Sequence, residues 1–407
     1  MKKIKNKKNG RFVIFCVLIG CLLLSGIKTE VRAEEGQDAE TSVASGQEDT
    51  EFLGQIQEQT EKKILEEFDF SELNDNLRKL FPGEKITFQQ VVETLMTGNL
   101  KETGQMLLQY GKDQIGYEFR TNRRNLVYML LIAIIAAVFT NFSNALQNRQ
   151  VSEISFYVLY LLLITMCLNS FRIAISGLEE KMEVLLDFMR LLCPGYFLSV
   201  AISSGSSSSL MFYNLVLFLI YLVEMVIFRF LIPIVNVYIM IQIMNYLLGE
   251  DMLSELAELI KKGISWILKT LLGCVIGINV IQGLLAPAID SLKRSSLTKS
   301  LSAIPGIGNT FGSVTDVVLG TAVLIKNGIG MAGAVLLLMI CLVPVLQMAI
   351  MTFFYKLAAA LVQPVSDSRI TGCISSVSEG YELMLQMLVT TMTLFLVTIA
   401  VVAAATN

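Results

Sequence analysis

The sequence predicts an all-α, polytopic membrane protein of about six to eight transmembrane or re-entrant helices, preceded by a small helical extracytoplasmic N-terminal region. Three observations predict it. Of 407 residues, 54% are hydrophobic and 16% charged, and mean hydropathy is +0.61, a balance suited to lipid rather than water. Apolar segments recur in series beyond Asn125, each near the ~20 residues that cross a bilayer as a helix. Residues 301–367 then break otherwise apolar sequence with Gly, Pro and lone charges, more interruption than a simple anchor needs.

Residues 1–33 have the layout of a secretory signal or signal anchor. MKKIKNKKNGR is a basic start, FVIFCVLIGCLLL an apolar core, and Val31, Arg32 and Ala33 offer a cleavage position. Residues 34–60 are acidic and carry almost no apolar side chain to bury, so they are expected to form a disordered linker. Over 61–124 apolar residues return at helical spacing: Ile64, Leu65, Phe68, Leu73, Leu77 and Leu80 before a Pro82-Gly83 break, then Val91, Val92, Leu95 and Leu107. This predicts a helical extracytoplasmic region lying against the membrane or a partner, or a collar on the membrane bundle.

The multi-pass domain is expected over 125–407. Six spans are predicted near 126–146, 154–176, 210–232, 264–289, 329–352 and 380–405. Leu191 to Ile202 is short, Ile232 to Leu248 follows its neighbour through Pro233, and Val314 to Ile325 is a third apolar run. Re-entrant half-helices account for these, and one long kinked helix equally accounts for the second. EDMLSELAELIKKG from Glu250 suits an interfacial helix, and the basic SLKRSSLTKS from Ser291 a cytoplasmic loop. Arg120, Arg123 and Arg124 before the first span oppose the orientation set by an N-terminal export signal. The signal, being first, is given precedence.

Several function classes are excluded. A net charge of −3 and a pI near 5.4 give no basic surface for nucleic acid. The absence of histidine removes Ser-His and Cys-His pairs, His-ligated metals and imidazole relays. Seven cysteines show no CxxC spacing and read as buried or lipid-facing thiols. The glycines of Ile304 to Gly312 match neither nucleotide-binding fingerprint, and the serines from Ser203 to Ser209 have no base to activate them, so they read as a loop or hinge. Neither catalytic, metal-binding nor cofactor-binding residues are expected, and no cofactor.

Polar groups within apolar runs remain as candidates, because charge in a span is costly. Glu224 and Arg229 share one segment but project about 140° apart and are poorly placed to pair. Gln242 with Asn245 and Asn279 with Gln282 share helix faces at i,i+3, a pattern for interhelical hydrogen bonds or a polar pathway. Asp316, Lys326, Asn327 and Lys356 lie in the interrupted stretch, with Lys326 to Gly328 expected as a loop tip or polar break. Pro305, Gly306, Gly308, Gln363 and Pro364 are the hinge candidates.

The order of these elements, with LNSFRIAISG at Leu168 to Gly177, AISSG at Ala201 to Gly205, IPGIGNTFGSVTDVVLG at Ile304 to Gly320 and YKLAAALVQPVSD at Tyr355 to Asp367, resembles the stage III sporulation protein AE family of endospore-forming bacteria. The resemblance runs from about Asn125 to the C-terminus, and the last two motifs carry it. It implies a multi-pass protein of the mother-cell membrane around the forespore, with the N-terminal region extracytoplasmic. It also implies partners: proteins of the same sporulation operon and forespore-side components of a channel complex, besides membrane lipid. The expected role is a non-enzymatic subunit of that complex. The alternative is an autonomous secondary transporter, whose midplane site would use Glu224 or Asp316.

Overall fold

A computed structural model describes residues 71–80, 87–96 and 149–405, the last with gaps at 205, 249–251, 302–307 and 365, and scattered helical positions between Lys112 and Val138. The expected signal and acidic linker lie outside the described residues. Among those described there is no strand. We number the helices α1 (Ser71–Leu80), α2 (Phe88–Met96), α3 (Arg149–Ser204), α4 (Ser206–Glu224), α5 (Ile232–Leu248), α6 (Ser254–Leu301), α7 (Gly308–Val362) and α8 (Ser368–Ala405), with a π-helical segment, Met225–Leu231, joining α4 to α5.

The helices are far longer than the sequence suggests. α3 has 56 residues and α7 has 55, about 80 Å each against a hydrocarbon core of roughly 30 Å. Five stretches among the described residues are long and apolar enough to cross a membrane: Tyr157–Ala201, Tyr213–Leu247, Ser254–Ile281, Gly320–Val362 and Ser368–Ala403. Most of the expected 126–146 span lies outside the described residues, although Val127, Tyr128, Leu131, Ile134, Ile135 and Val138 are helical and exposed.

Continuity replaces the expected interruptions. Leu191 to Ile202 is the end of α3, which carries Pro194 internally. Val314 to Ile325, the Lys326-Asn327-Gly328 polar run and the apolar block beyond it all belong to α7, which carries Pro344. An apolar surrounding offers the backbone no partner but itself, so helix persists through residues that would break it in water. SLKRSSLTKS likewise continues α6 to Leu301 instead of forming a loop. The serines expected as a loop or hinge are helical, Ser203 and Ser204 at the end of α3 and Ser206 to Ser209 at the start of α4, with residue 205 between them outside the described residues.

Of the two accounts of Pro233, the structure has the single long helix, continuous through a π-helical turn. Ile232 N–H bonds the carbonyl of Ile227, five residues back, so the turn before the proline is widened. The wider turn accommodates a ring that would otherwise press on the carbonyl of Arg229. α7 ends where Gln363 and Pro364 form a turn, and Asp367 Oδ1 accepts the Arg369 N–H at 2.8 Å, capping α8. The YKLAAALVQPVSD motif is therefore a helix end, a turn and a helix start.

The amphipathic N-terminal helices are packed onto the bundle. Thr87 and Gln90 exchange backbone and side-chain hydrogen bonds as a capping box for α2, and Asn74 of α1 accepts the Phe88 N–H at 2.8 Å. Leu73, Phe88 and Val92 are buried in the same core as α3 and α7.

α8 lies against α3, α5, α6 and α7. Its glycines permit this. A Cβ on Gly380 would sit 2.5 Å from Ile239 and 2.6 Å from Phe171, and one on Gly372 would overlap the Tyr246 ring; small residues let helix backbones approach in just this way. Gly380→Ala is therefore expected to cost ~1–3 kcal/mol by overpacking. Gly273→Ala, which meets nothing within 4 Å inside a helix, is expected to leave stability unchanged or raise it by up to about 1 kcal/mol. Thermal unfolding in detergent checks the pair, and equal melting temperatures would contradict this packing.

Candidate functional site

Among the described residues, polar side chains from four neighbouring helices converge on one turn of α8, Ser378-Glu379-Gly380-Tyr381-Glu382. Successive helix residues project 100° apart, so a central helix with polar residues through one turn addresses every neighbour. Ser378 Oγ donates to the Thr352 carbonyl of α7 at 3.0 Å. Glu379 Oε2 accepts from Tyr238 of α5 at 2.5 Å and from Lys261 of α6 at 2.8 Å. Tyr381 OH donates to the Ser170 carbonyl of α3 at 3.2 Å. Glu382 pairs with Lys356 of α7 at 2.8 Å. Gln242 Nε2 extends the network by donating to Tyr238 OH at 3.3 Å.

Aromatic rings seal the inner side of this layer. Tyr381 meets Phe171 edge-on at 5.8 Å and lies 5.2 Å from Tyr355, and all three are buried. The ion pairs, by contrast, are about one-third exposed at Lys261 and Glu379. The layer thus has a dry aromatic centre and a wetter charged rim.

A second polar contact lies farther along the bundle. Arg190 of α3 pairs with Glu224 at the end of α4 and with Asp187 at 3.1 Å. Glu224 and Arg229 remain apart, as their spacing implied: Arg229 is exposed on the π-helical segment. Asn279 Nδ2 donates to Thr398 of α8 at 3.2 Å, the interhelical hydrogen bond its position suggested.

The other singled-out residues separate. Asn245 does not share a task with Gln242, since its Oδ1 accepts the Leu253 N–H at 3.0 Å and closes the turn into α6. Lys356 joins the α8 layer. Lys326 is fully buried within α7 and Asn327 half-buried beside it. Gln363 and Pro364 form the turn after α7. Gly308 begins α7, whereas Pro305 and Gly306, and the side chains of Gln282 and Asp316, lie outside the described residues.

Sequence reasoning missed Ser170, Tyr238, Lys261, Ser378, Glu379, Tyr381 and Glu382. A signal was present: two carboxylates and a tyrosine around a glycine, at the head of a charge-free run from Leu383. Placing the last span at 380–405 cut that signal in half. No group of three or more His, Cys, Asp or Glu among the described residues is arranged to hold a metal, and Cys167, Cys193, Cys341 and Cys373 are buried free thiols. The arrangement joins helices and holds charge within an apolar bundle.

Fold and site together define a polytopic helical membrane protein organised about an internal polar layer. A family profile described as "Stage III sporulation protein AE" matches residues 86–406, and the chain belongs to that family. It is 26% identical over 292 residues to "Stage III sporulation protein AE" of Bacillus subtilis (strain 168), covering 72% of this chain and 73% of the relative. No solved structure matches.

Removing one partner of the Lys261–Glu379 pair leaves the other charge and the Tyr238 hydroxyl to be satisfied anew. Glu379→Leu is expected to destabilise the chain by roughly 1–3 kcal/mol, and Lys261→Met/Glu379→Leu by less than the sum of its parts. A double-mutant cycle on detergent unfolding reads the coupling. Strict additivity would show that the pair contributes nothing.

Proposed function

We propose that this chain is a non-enzymatic integral membrane subunit of the channel complex between mother cell and forespore, required for endospore formation. It would reside in the mother-cell membrane that engulfs the forespore, with its N-terminal region in the extracytoplasmic space. Its partners there would be proteins of the same sporulation operon and forespore-side channel components. Membership of a sporulation family carries this reading, and three features of the chain support it. Five helices among the described residues are long and apolar enough for a membrane. The polar layer on α8 serves to hold five helical segments in register. The titratable groups that converge are carboxylates held by Lys and Tyr, with no histidine in the chain to form an imidazole base.

The autonomous transporter has less support. Of its two expected site residues, Glu224 is ion-paired to Arg190, and the side chain of Asp316 lies outside the described residues. Crosslinking and pull-down from sporulating cells separates the two accounts. Recovery of sporulation membrane proteins with the chain is expected, and the purified chain reconstituted alone is expected to move no solute. Autonomous solute flux, abolished by Glu224→Gln, would overturn the subunit reading.

A further inference from the structure

Contacts set the level of each helix along the bundle. Phe171 of α3 lies against Gly380 of α8, and Ser170 bonds Tyr381. Lys181 bonds Gln347 of α7, and Leu192 and Tyr196 lie against Gly333 and Gly330 of the same helix. The α3 segment 172–190 therefore runs beside α7 from about Tyr355 back to Gly333, and beside α8 from Tyr381 onward. Over this length α7 carries no charge between Asn327 and Tyr355 and α8 carries none beyond Glu382, while α6, levelled by Lys261 at Glu379 and Asn279 at Thr398, carries Lys269 and then no charge from Thr270 to Ile289. These are the charge-free lengths that a hydrocarbon core requires.

α3 breaks the rule at that same level. Between positions 172 and 190 it carries Arg172, Glu179, Glu180, Lys181, Glu183, Asp187 and Arg190. Positions 172, 176, 180, 183, 187 and 190 follow helical i+3 and i+4 spacing along one face, about 27 Å long. Arg172, Ser176, Glu180 and Glu183 are exposed, and the Asp187 and Arg190 side chains are 47% and 42% exposed. Beyond the exposed Lys269 the outer face of α6 is the opposite, with Ile276, Val280 and Ile281 exposed. Lipid suits that face. It does not suit α3, where each charge at membrane depth costs ~3 kcal/mol even on insertion scales.

We infer that the Arg172–Arg190 face of α3 lines a water-filled path at membrane depth. Water solvates the exposed charges, Arg190 and Glu224 pin α4 beside them, and α7 and α8 supply the dry backing. Arg172 and Arg190 stand at the two ends of the stripe with Glu180, Glu183 and Asp187 between them, so the path suits small polar solutes and favours cations along its acidic middle. This deepens the channel-complex reading and rests on it for the role of the path, while the path itself is separately testable.

Ser176→Cys and Glu183→Cys on α3, and Val280→Cys on α6, would each be placed in the full chain with Cys274→Ser removing the thiol exposed among the described residues and Cys16→Ser and Cys21→Ser removing those of the N-terminal run. Membranes of sporulating cells are then treated with a charged, membrane-impermeant maleimide. Thiols ionise in water and not in lipid, so both α3 positions are expected to react at least about tenfold faster than position 280. Labelling of the α3 positions only after detergent is added would overturn the proposal. Ser176→Cys exchanges a single atom and keeps the test valid if Glu183→Cys does not accumulate. Pull-down of the same membranes separates the two claims: labelling without sporulation partners leaves the path and removes the complex, and partners without labelling do the reverse.

Discussion

The carboxylate of Glu379 holds Tyr238 and Lys261 at once, and the register of the bundle depends on that junction. Apolar helices slide past one another at little cost, because every ridge resembles the next. A carboxylate with two donors on two other helices allows a single register, since any shift leaves a charge and a hydroxyl unsatisfied. Ser378, Tyr381 and Glu382 repeat this condition toward α7 and α3. Gly380 brings the backbones close enough for such short side chains to reach.

From that register the other features follow. With α8 fixed against α3 at Phe171, the charged stretch of α3 falls beside the charge-free lengths of α7 and α8. The same register brings Arg190 to Glu224 and Asn279 to Thr398. The π-helical segment before Pro233 lets one long helical path run from the serine-rich end to the turn closed by Asn245.

Much of the fold was legible in the sequence, and the reason is periodic hydrophobicity: the apolar series after residue 150 marks helices whatever their neighbours. The breaks were misread because Gly, Pro and lone charges were weighed as they act in water. Lys326, Asn327 and Gly328 stay helical because a packed, apolar surrounding leaves the backbone no alternative partner. The site was less legible. Glu224 and Asn279 stood out because they interrupt apolar runs, and both do pair between helices. Glu379 and Lys261 did not stand out, since each sits in a polar stretch that reads as a span boundary, and their meeting across 118 residues of chain is a property of topology. The charged face of α3 was likewise invisible until the contacts of Phe171 and Lys181 set its depth.

Backbone amide exchange in lipid nanodiscs tests most directly whether α8 is the element that organises the bundle. An organising helix opens only with the whole structure, so its amides exchange at the global limit. The account expects the slowest exchange in the chain from Val377 to Thr398 of α8, slower than the outer helix α6 over the same depth. Exchange in α8 as fast as in α6, or faster, would contradict it.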